Sequence, residues 1–253
     1  MFVAEITVRL APEADPDKVY DLLGSLRQNG QILGRELPIY QDKRKLTVVV
    51  LLPEADALNK SHDNKWVKQS RAALIKNGLT RLSVKIRGED PISAGEGECD
   101  SPNEYILFTN YLTVESPLRC GECFNPVALY HVPPTYDNSE FYNVRTWEAD
   151  YQACDTLQMN CSTGEQFGIR EMSEVNSGLS RRGRDLCAAI ERGTGRPVYY
   201  YLFRYVKRTT VEKEEARRCP LCCGDWLLKE PWHIFNFKCQ TCRLVSTFSP
   251  TVC

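Results

Sequence analysis

Two short cysteine pairs constrain this chain more than anything else in it: Cys219-Pro-Leu-Cys222 and Cys239-Gln-Thr-Cys242, separated by 16 residues. A two-residue gap aims both sulfurs of a pair at one point. A spacer of that length can form a hairpin that brings the two pairs together as a tetrahedron. Four thiolates select a soft ion, Zn²⁺ over Mg²⁺ or Ca²⁺, and a closed four-sulfur set is structural rather than catalytic. The spacer "WLLKEPWHIFNFKC" supplies the aromatic and aliphatic residues of such a hairpin, so residues 211–253 read as a zinc ribbon. Cys223 stands where a glycine is expected after the first knuckle and competes with Cys222; the two-residue gap favours Cys222. A third pair, Cys120-Gly-Glu-Cys123, has no clear partners in the sequence. His131, Cys154 and Cys161 are its candidates, and a half-site with buried thiols is the expectation.

Twelve cysteines in 253 residues would suggest disulfides in a secreted protein. The opening "MFVAEITVRLAPEADPD" has no basic stretch followed by an apolar one, and no segment is apolar enough for a membrane span. The expectation is therefore a cytoplasmic chain with cysteines used as metal ligands or core thiols.

Residues 1–88 carry a regular alternation of periods. "FVAEITVRL" alternates as a half-buried strand does. Asp15 reads as an N-cap and Pro16 as the first helical residue, with Val19, Leu22, Leu23 and Leu26 on one face and a stop at Gly30. "RELPIY" and "KLTVVVLL" flank the turn "QDKR"; a second helix presents Trp66, Ala73 and Leu74 and stops at Gly78; "TRLSVKIRG" closes the set. The order βαββαβ predicts a ferredoxin-like antiparallel sheet backed by two helices over 1–90. Its expected core is Ile6, Val8, Leu22, Leu26, Val48, Val50, Leu74 and Val84.

A Gly-, Pro-, Ser- and acid-rich connector follows, then a mixed α+β central region over 91–210. "YILFTNYLTV" reads as a strand. One helix carries the stripe Val144, Trp147, Tyr151, Cys154 and Gln158, and another ends at Gly193 or Gly195. "RPVYYYLFRYV" is a strand, and "KRTTVEKEEARR" a charged link. The fold class is α+β throughout.

Charge is distributed unevenly. Residues 1–88 carry 15 basic and 10 acidic side chains, residues 89–178 carry 3 and 16, and residues 179–253 carry 14 and 7. The basic last third contains Arg181, Arg182 and Arg184, with Arg217 and Arg218 just before the first knuckle. These, with Trp226, Trp232 and Phe235 as stacking faces, make nucleic acid the leading partner. The competing reading is a protein module whose acidic middle, including Glu96, Glu98 and Asp100, docks a basic protein, as an inhibitor of a nuclease-like toxin would. No phosphate loop, HExxH or GxSxG occurs, and the three histidines (His62, His131, His233) lie in separate segments. Glu165 and Asp155 read as cap or surface carboxylates, His233 as a hairpin residue. No enzymatic role is expected.

Taken together, "LRCGECFNPVALYHVP", "YQACDTLQMNC", "GRDLCAAIERGTGRPVYYYL" and "CPLCCGDW…FKCQTCRLVS" resemble a bacterial Zn-ribbon-containing, candidate nucleic-acid-binding family of uncharacterised proteins. The likeness covers most of residues 105–246. It implies a cytoplasmic bacterial protein with zinc at Cys219, Cys222, Cys239 and Cys242. The family's nucleic-acid label rests on the ribbon itself, and the likeness carries over no catalytic residue.

Overall fold

A computed structural model describes residues 1–34, 38–93, 99, 101–137 and 140–251. Glu96, Glu98 and Asp100 of the acidic connector lie outside the described residues. The chain divides into two compact units: residues 1–98 with 114–116 and 125–142, and residues 99–113 and 117–124 with 143–253.

The first unit runs β1 (Phe2–Leu10), α1 (Asp17–Gln28), β2 (Ile39–Asp42), β3 (Lys45–Leu52), α2 (Lys65–Lys76) and β4 (Leu79–Glu89). Its sheet has the order β2-β3-β1-β4, and every neighbouring pair is antiparallel. The βαββαβ order expected from the sequence is the order found. Alternation in β1 sends Ala4, Ile6, Val8 and Leu10 inward. Val19, Leu22, Leu23 and Leu26 of α1 meet them, as the helical period requires.

Four details differ from the sequence reading. The first helix starts at Asp17, with Pro16 at the cap and Asp15 Oδ1 accepting from Asp17 N at 2.9 Å. In α2 the buried residues are Val67 and Leu74, while Trp66 lies exposed under the Lys65 ammonium. Val84 faces the same side as its partner Ile6, yet is 41% exposed, because β4 is an edge strand. The segment 125–142 also belongs to this unit: Leu129 is buried, and Tyr130 and His131 both bond to Glu54.

The second unit contains β5 (Tyr105–Leu107), β6 (Leu118–Cys120), α3 (Tyr142–Met159), α4 (Glu165–Ser173), α5 (Gly178–Thr194), β7 (Val198–Tyr201), α6 (Val211–Glu215), β8 (Leu227–Trp232), β9 (Phe235–Cys239) and β10 (Leu244–Ser246). One six-stranded sheet, ordered β6-β5-β7-β10-β9-β8, takes in all its strands. Residue 211, the expected start of the ribbon, lies within this unit, where β10 pairs in parallel with β7. The strand expected over 105–114 stops at Leu107. Asn110 Oδ1 accepts from Leu112 N and Thr113 N and turns the chain there.

The stripe Val144, Trp147, Tyr151, Cys154 and Gln158 is buried along α3. Ser177 caps α5, its Oγ accepting from Ser180 N at 3.0 Å. Close packing of α5 on β7 depends on Gly183, where a Cβ would come within 2.1 Å of the Tyr200 ring. The charged link is not merely a link. Glu214 of α6 is fully buried, with Arg204 and Arg217 paired to it and Ser249 N donating to it.

Candidate metal centre

Hairpin β8–β9 brings the two cysteine pairs of the C-terminal segment together. Cys219, Cys222, Cys239 and Cys242 place their sulfurs within 4.8 Å of one another. The Cys222 and Cys239 sulfurs are 3.6 Å apart. That is far longer than a disulfide bond, at about 2.05 Å. It matches the edge of a tetrahedron built on Zn–S bonds of about 2.3 Å, which is about 3.8 Å.

Each knuckle is shaped by its backbone. Cys223 N donates to Cys219 O and Cys219 N to Gly224 O, both at 2.9 Å, and Cys242 N donates to the Cys239 sulfur at 3.4 Å. The residue after each pair, Cys223 and Arg243, adopts a left-handed backbone with φ of 56° and 52°. Cys223 is exposed and stands outside the four-sulfur group.

The four thiols influence one another's ionisation. A backbone hydrogen bond from Gly224, and then the thiols of Cys242, Cys219 and Cys239, draw the Cys222 thiol down to about 7. Burial, and then the neighbouring sulfurs, push Cys242 well above the ordinary thiol range; burial likewise raises Cys239. Cys222 ionises readily while Cys239 and Cys242 resist a negative charge, a resistance that a bound metal ion would offset.

The second group was only half legible in the sequence. Cys99, Cys120 and Cys123 lie within 4.8 Å of one another, sulfur to sulfur. Cys99 was missed as the partner because it sits alone in the acidic connector, with no spacing motif to mark it. The three candidates named from the sequence lie elsewhere: Cys154 is buried on the α3 stripe, Cys161 is exposed after that helix, and His131 bonds to Glu54 in the first unit. Asp155 is buried and accepts from Tyr111 N at 2.8 Å, while Glu165 opens α4. His233 occupies the β8–β9 turn and its Nε2 lies 2.7 Å from Gly121 O.

The arginines take different places. Arg217 packs over Phe237 and Trp226 and faces Glu214, and Arg218 pairs with Asp225. Arg182 pairs with Asp150 at 2.6 Å. Arg181 and Arg184 share one face of α5 with Ala188 and Arg192, at helical spacings of three and four. Arg184 and Arg192, with Val198, Thr241, Cys242 and Arg243, line an open cavity of about 450 Å³. Trp226 and Phe235 are buried in the unit's own core, while Trp232 is half-buried and donates to Gly121 O.

Fold and site together define a mixed α+β protein with two cysteine clusters able to hold metal ions. Three family models match it in succession, each described as a domain of unknown function: DUF8589 over residues 1–88, DUF2310 over 99–203 and DUF8594 over 208–252. A protein of Haemophilus influenzae, described as an uncharacterized protein, is 37% identical over 228 residues, covering 88% of this chain and 87% of its own. A second from the same organism is 38% identical over 185 residues, covering 73% of this chain and 88% of its own. The chain belongs to the family of these Haemophilus proteins. None of these descriptions names a zinc ribbon; the structure contributes the cysteine cluster.

Among solved structures, an antibiotic biosynthesis monooxygenase matches at 12% identity, covering 35% of this chain and 99% of that one, with a TM-score of 0.23. Rv0793 from Mycobacterium tuberculosis matches at 19%, covering 37% and 100%, with a TM-score of 0.25. The expectation that no enzymatic role exists is corrected on this finding and is withdrawn. Scores this low assign the chain no reaction. Among the described residues no helix is long and apolar enough to cross a membrane.

Proposed function

We propose that this is a cytoplasmic zinc-ribbon protein that binds nucleic acid. In this reading Cys219, Cys222, Cys239 and Cys242 hold a structural Zn²⁺ that fixes the β8–β9 hairpin, and the first unit is a ferredoxin-like domain. Zinc is favoured by the all-sulfur donor set and its tetrahedral spacing.

One observation carries the nucleic-acid reading: Arg181, Arg184 and Arg192 share a face of α5, and Arg184 and Arg192 line a cavity with Cys242 of the second knuckle, beside Asp185 and the Arg243–Glu191 pair. A metal-stiffened knuckle beside a row of guanidinium groups suits a phosphate backbone, since planar donors match phosphate oxygens in pairs. Arg217 and Arg218 serve the ribbon's own packing and charge pairing in this account, so recognition of phosphate falls to α5.

The test is fluorescence anisotropy with labelled single- and double-stranded DNA and RNA across a salt series. Binding should weaken steeply as salt rises. The Arg181→Ala/Arg192→Ala variant should bind more weakly to every sequence, with the log–log salt slope reduced by about 0.7–0.9 for each phosphate no longer neutralised. Absence of binding to all four probes at low salt would overturn the reading in favour of a basic protein partner.

A further inference from the structure

The geometry assigns a second zinc site to Cys99, Cys120 and Cys123, built on a third copy of the knuckle that shapes the four-sulfur centre. The likeness is in the backbone, not only in the spacing. Phe124, directly after Cys123, has a φ of 63°, as Cys223 and Arg243 have 56° and 52° after their pairs. Left-handed backbone is uncommon for such residues and unfavourable for a bulky side chain. Its recurrence directly after the second cysteine of all three pairs marks a shared local structure.

The hydrogen bonds repeat as well. Phe124 N donates to Cys120 O at 3.0 Å, as Cys223 N does to Cys219 O at 2.9 Å. An amide also reaches sulfur in both, one position apart: Glu122 N, two residues on, donates to the Cys120 sulfur at 3.4 Å, and Cys242 N, three residues on, donates to the Cys239 sulfur at 3.4 Å. Amide donors aimed at sulfur favour its thiolate, the form that ligates metal.

This knuckle is also held rigidly. Gly121 N donates to Glu104 O, while Gly121 O accepts from Trp232 Nε1 at 2.9 Å and lies 2.7 Å from His233 Nε2. A Cβ at Gly121 would come within 2.4 Å of Glu104 Cγ and 3.1 Å of the Trp232 ring, so only glycine fits. Trp232 and His233 form the closed end of hairpin β8–β9, whose open end carries the four-sulfur centre. The hairpin therefore has a cysteine cluster at each end.

The two sites differ in closure. Among the described residues no fourth His, Cys, Asp or Glu atom joins the Cys99–Cys120–Cys123 group. Glu122 lies close, with Oε2 3.0 Å from the Cys120 sulfur, but its Oε1 accepts from Asn103 N at 2.7 Å. Among the described residues this donor set has three thiolates against four in the closed one, and fewer thiolates should hold the ion less tightly.

The test is zinc content of the full-length protein, purified with its thiols reduced, read by elemental analysis and by release to a colorimetric chelator. Wild type should carry two zinc ions per chain, one released early and one late. Cys120→Ser and Cys99→Ser should each carry one and lack the early phase. Cys99 is only half-buried, so its variant keeps the test valid should Cys120→Ser fail to fold. Cys239→Ser should lose the late phase, and Cys161→Ser should keep both ions. One zinc in wild type, or two retained in Cys99→Ser, would overturn the second site; the closed site stands or falls separately, on Cys239→Ser.

Discussion

The two units solve the same stability problem with different chemistry. In the first, the largest fully buried side chains are aliphatic: Leu22, Leu26, Ile32, Leu52 and Leu74. Three of its four strands run eight to eleven residues, long enough for alternation to build a continuous apolar face under two helices. In the second, the strands span only three to six residues, and the largest buried side chains include Trp147, Tyr151, Tyr200, Phe235 and Phe237. Every described cysteine lies there as well. A long sheet gains stability from its own apolar area. A unit of short strands instead packs large rings between sheet and helices, and gathers cysteines into two clusters able to hold metal ions.

Metal removal should break this comparison most visibly. Structural zinc contributes roughly 10–16 kcal/mol of apparent binding energy in zinc-finger peptides, comparable with the whole stability of a domain. Stripping zinc with a chelator, or making Cys239→Ser, should abolish amide hydrogen-exchange protection at the two knuckles, residues 219–224 and 239–243, while leaving β1, β3 and α1 protected. Equal loss of protection in both units would show that the first depends on the metal centre, contrary to its cysteine-free core.

The converse experiment has a smaller effect. Leu26 is 1% exposed at the centre of the aliphatic core. Leu26→Ala should cost about 2–5 kcal/mol, through lost transfer energy and the cavity left behind. The denaturation midpoint of the first unit should fall while zinc content stays unchanged. A fall in zinc content would mean that the two cores are coupled.

The same contrast explains what could be read from the sequence. Long alternating strands and a four-residue helical stripe announce themselves by period, so β1, β3, α1 and the α3 stripe were legible. Val84 was misplaced because period gives a residue's face but not whether its strand sits at an edge. The closed cysteine set was legible because spacing encodes knuckle geometry. Cys99 carries no such spacing; its sulfur meets Cys120 and Cys123 only through the tertiary fold. The α5 arginine face was partly seen: Arg181 and Arg184 were named, while Arg192, two turns on in the same expected helix, stands outside the local basic cluster and was not counted with them. Arg217 looked like a free basic residue because sequence does not show that Glu214 would be buried beside it.

The smallest expected effect concerns pH and belongs to the first unit alone. His131 Nε2 lies 2.8 Å from both carboxylate oxygens of Glu54, and Tyr130 donates to the same carboxylate at 2.7 Å. The Glu54 hydrogen bond raises His131 above the usual imidazole range against the opposing effect of burial; Asp56 adds to the rise. Burial works to raise Glu54, but His131, Tyr130 and the charge of His62 outweigh it and hold the carboxyl below its usual range. A raised histidine contributes stability that is full below its unfolded pKa and is lost as pH rises through the folded value. A lowered carboxylate contributes stability that is full above its unfolded pKa and is lost as pH falls through the folded value. The pair therefore stabilises the first unit between those limits, and loses its contribution towards mild alkali as His131 deprotonates and towards acid as Glu54 protonates. The His131 side chain is 44% exposed and that of Glu54 31%, so solvent screening keeps the gain under about 1 kcal/mol. His131→Gln should flatten the alkaline limb of the first unit's stability–pH curve and leave the zinc-dependent transition unmoved. A His131→Gln curve that keeps the full wild-type slope above neutrality would remove this pair as its source.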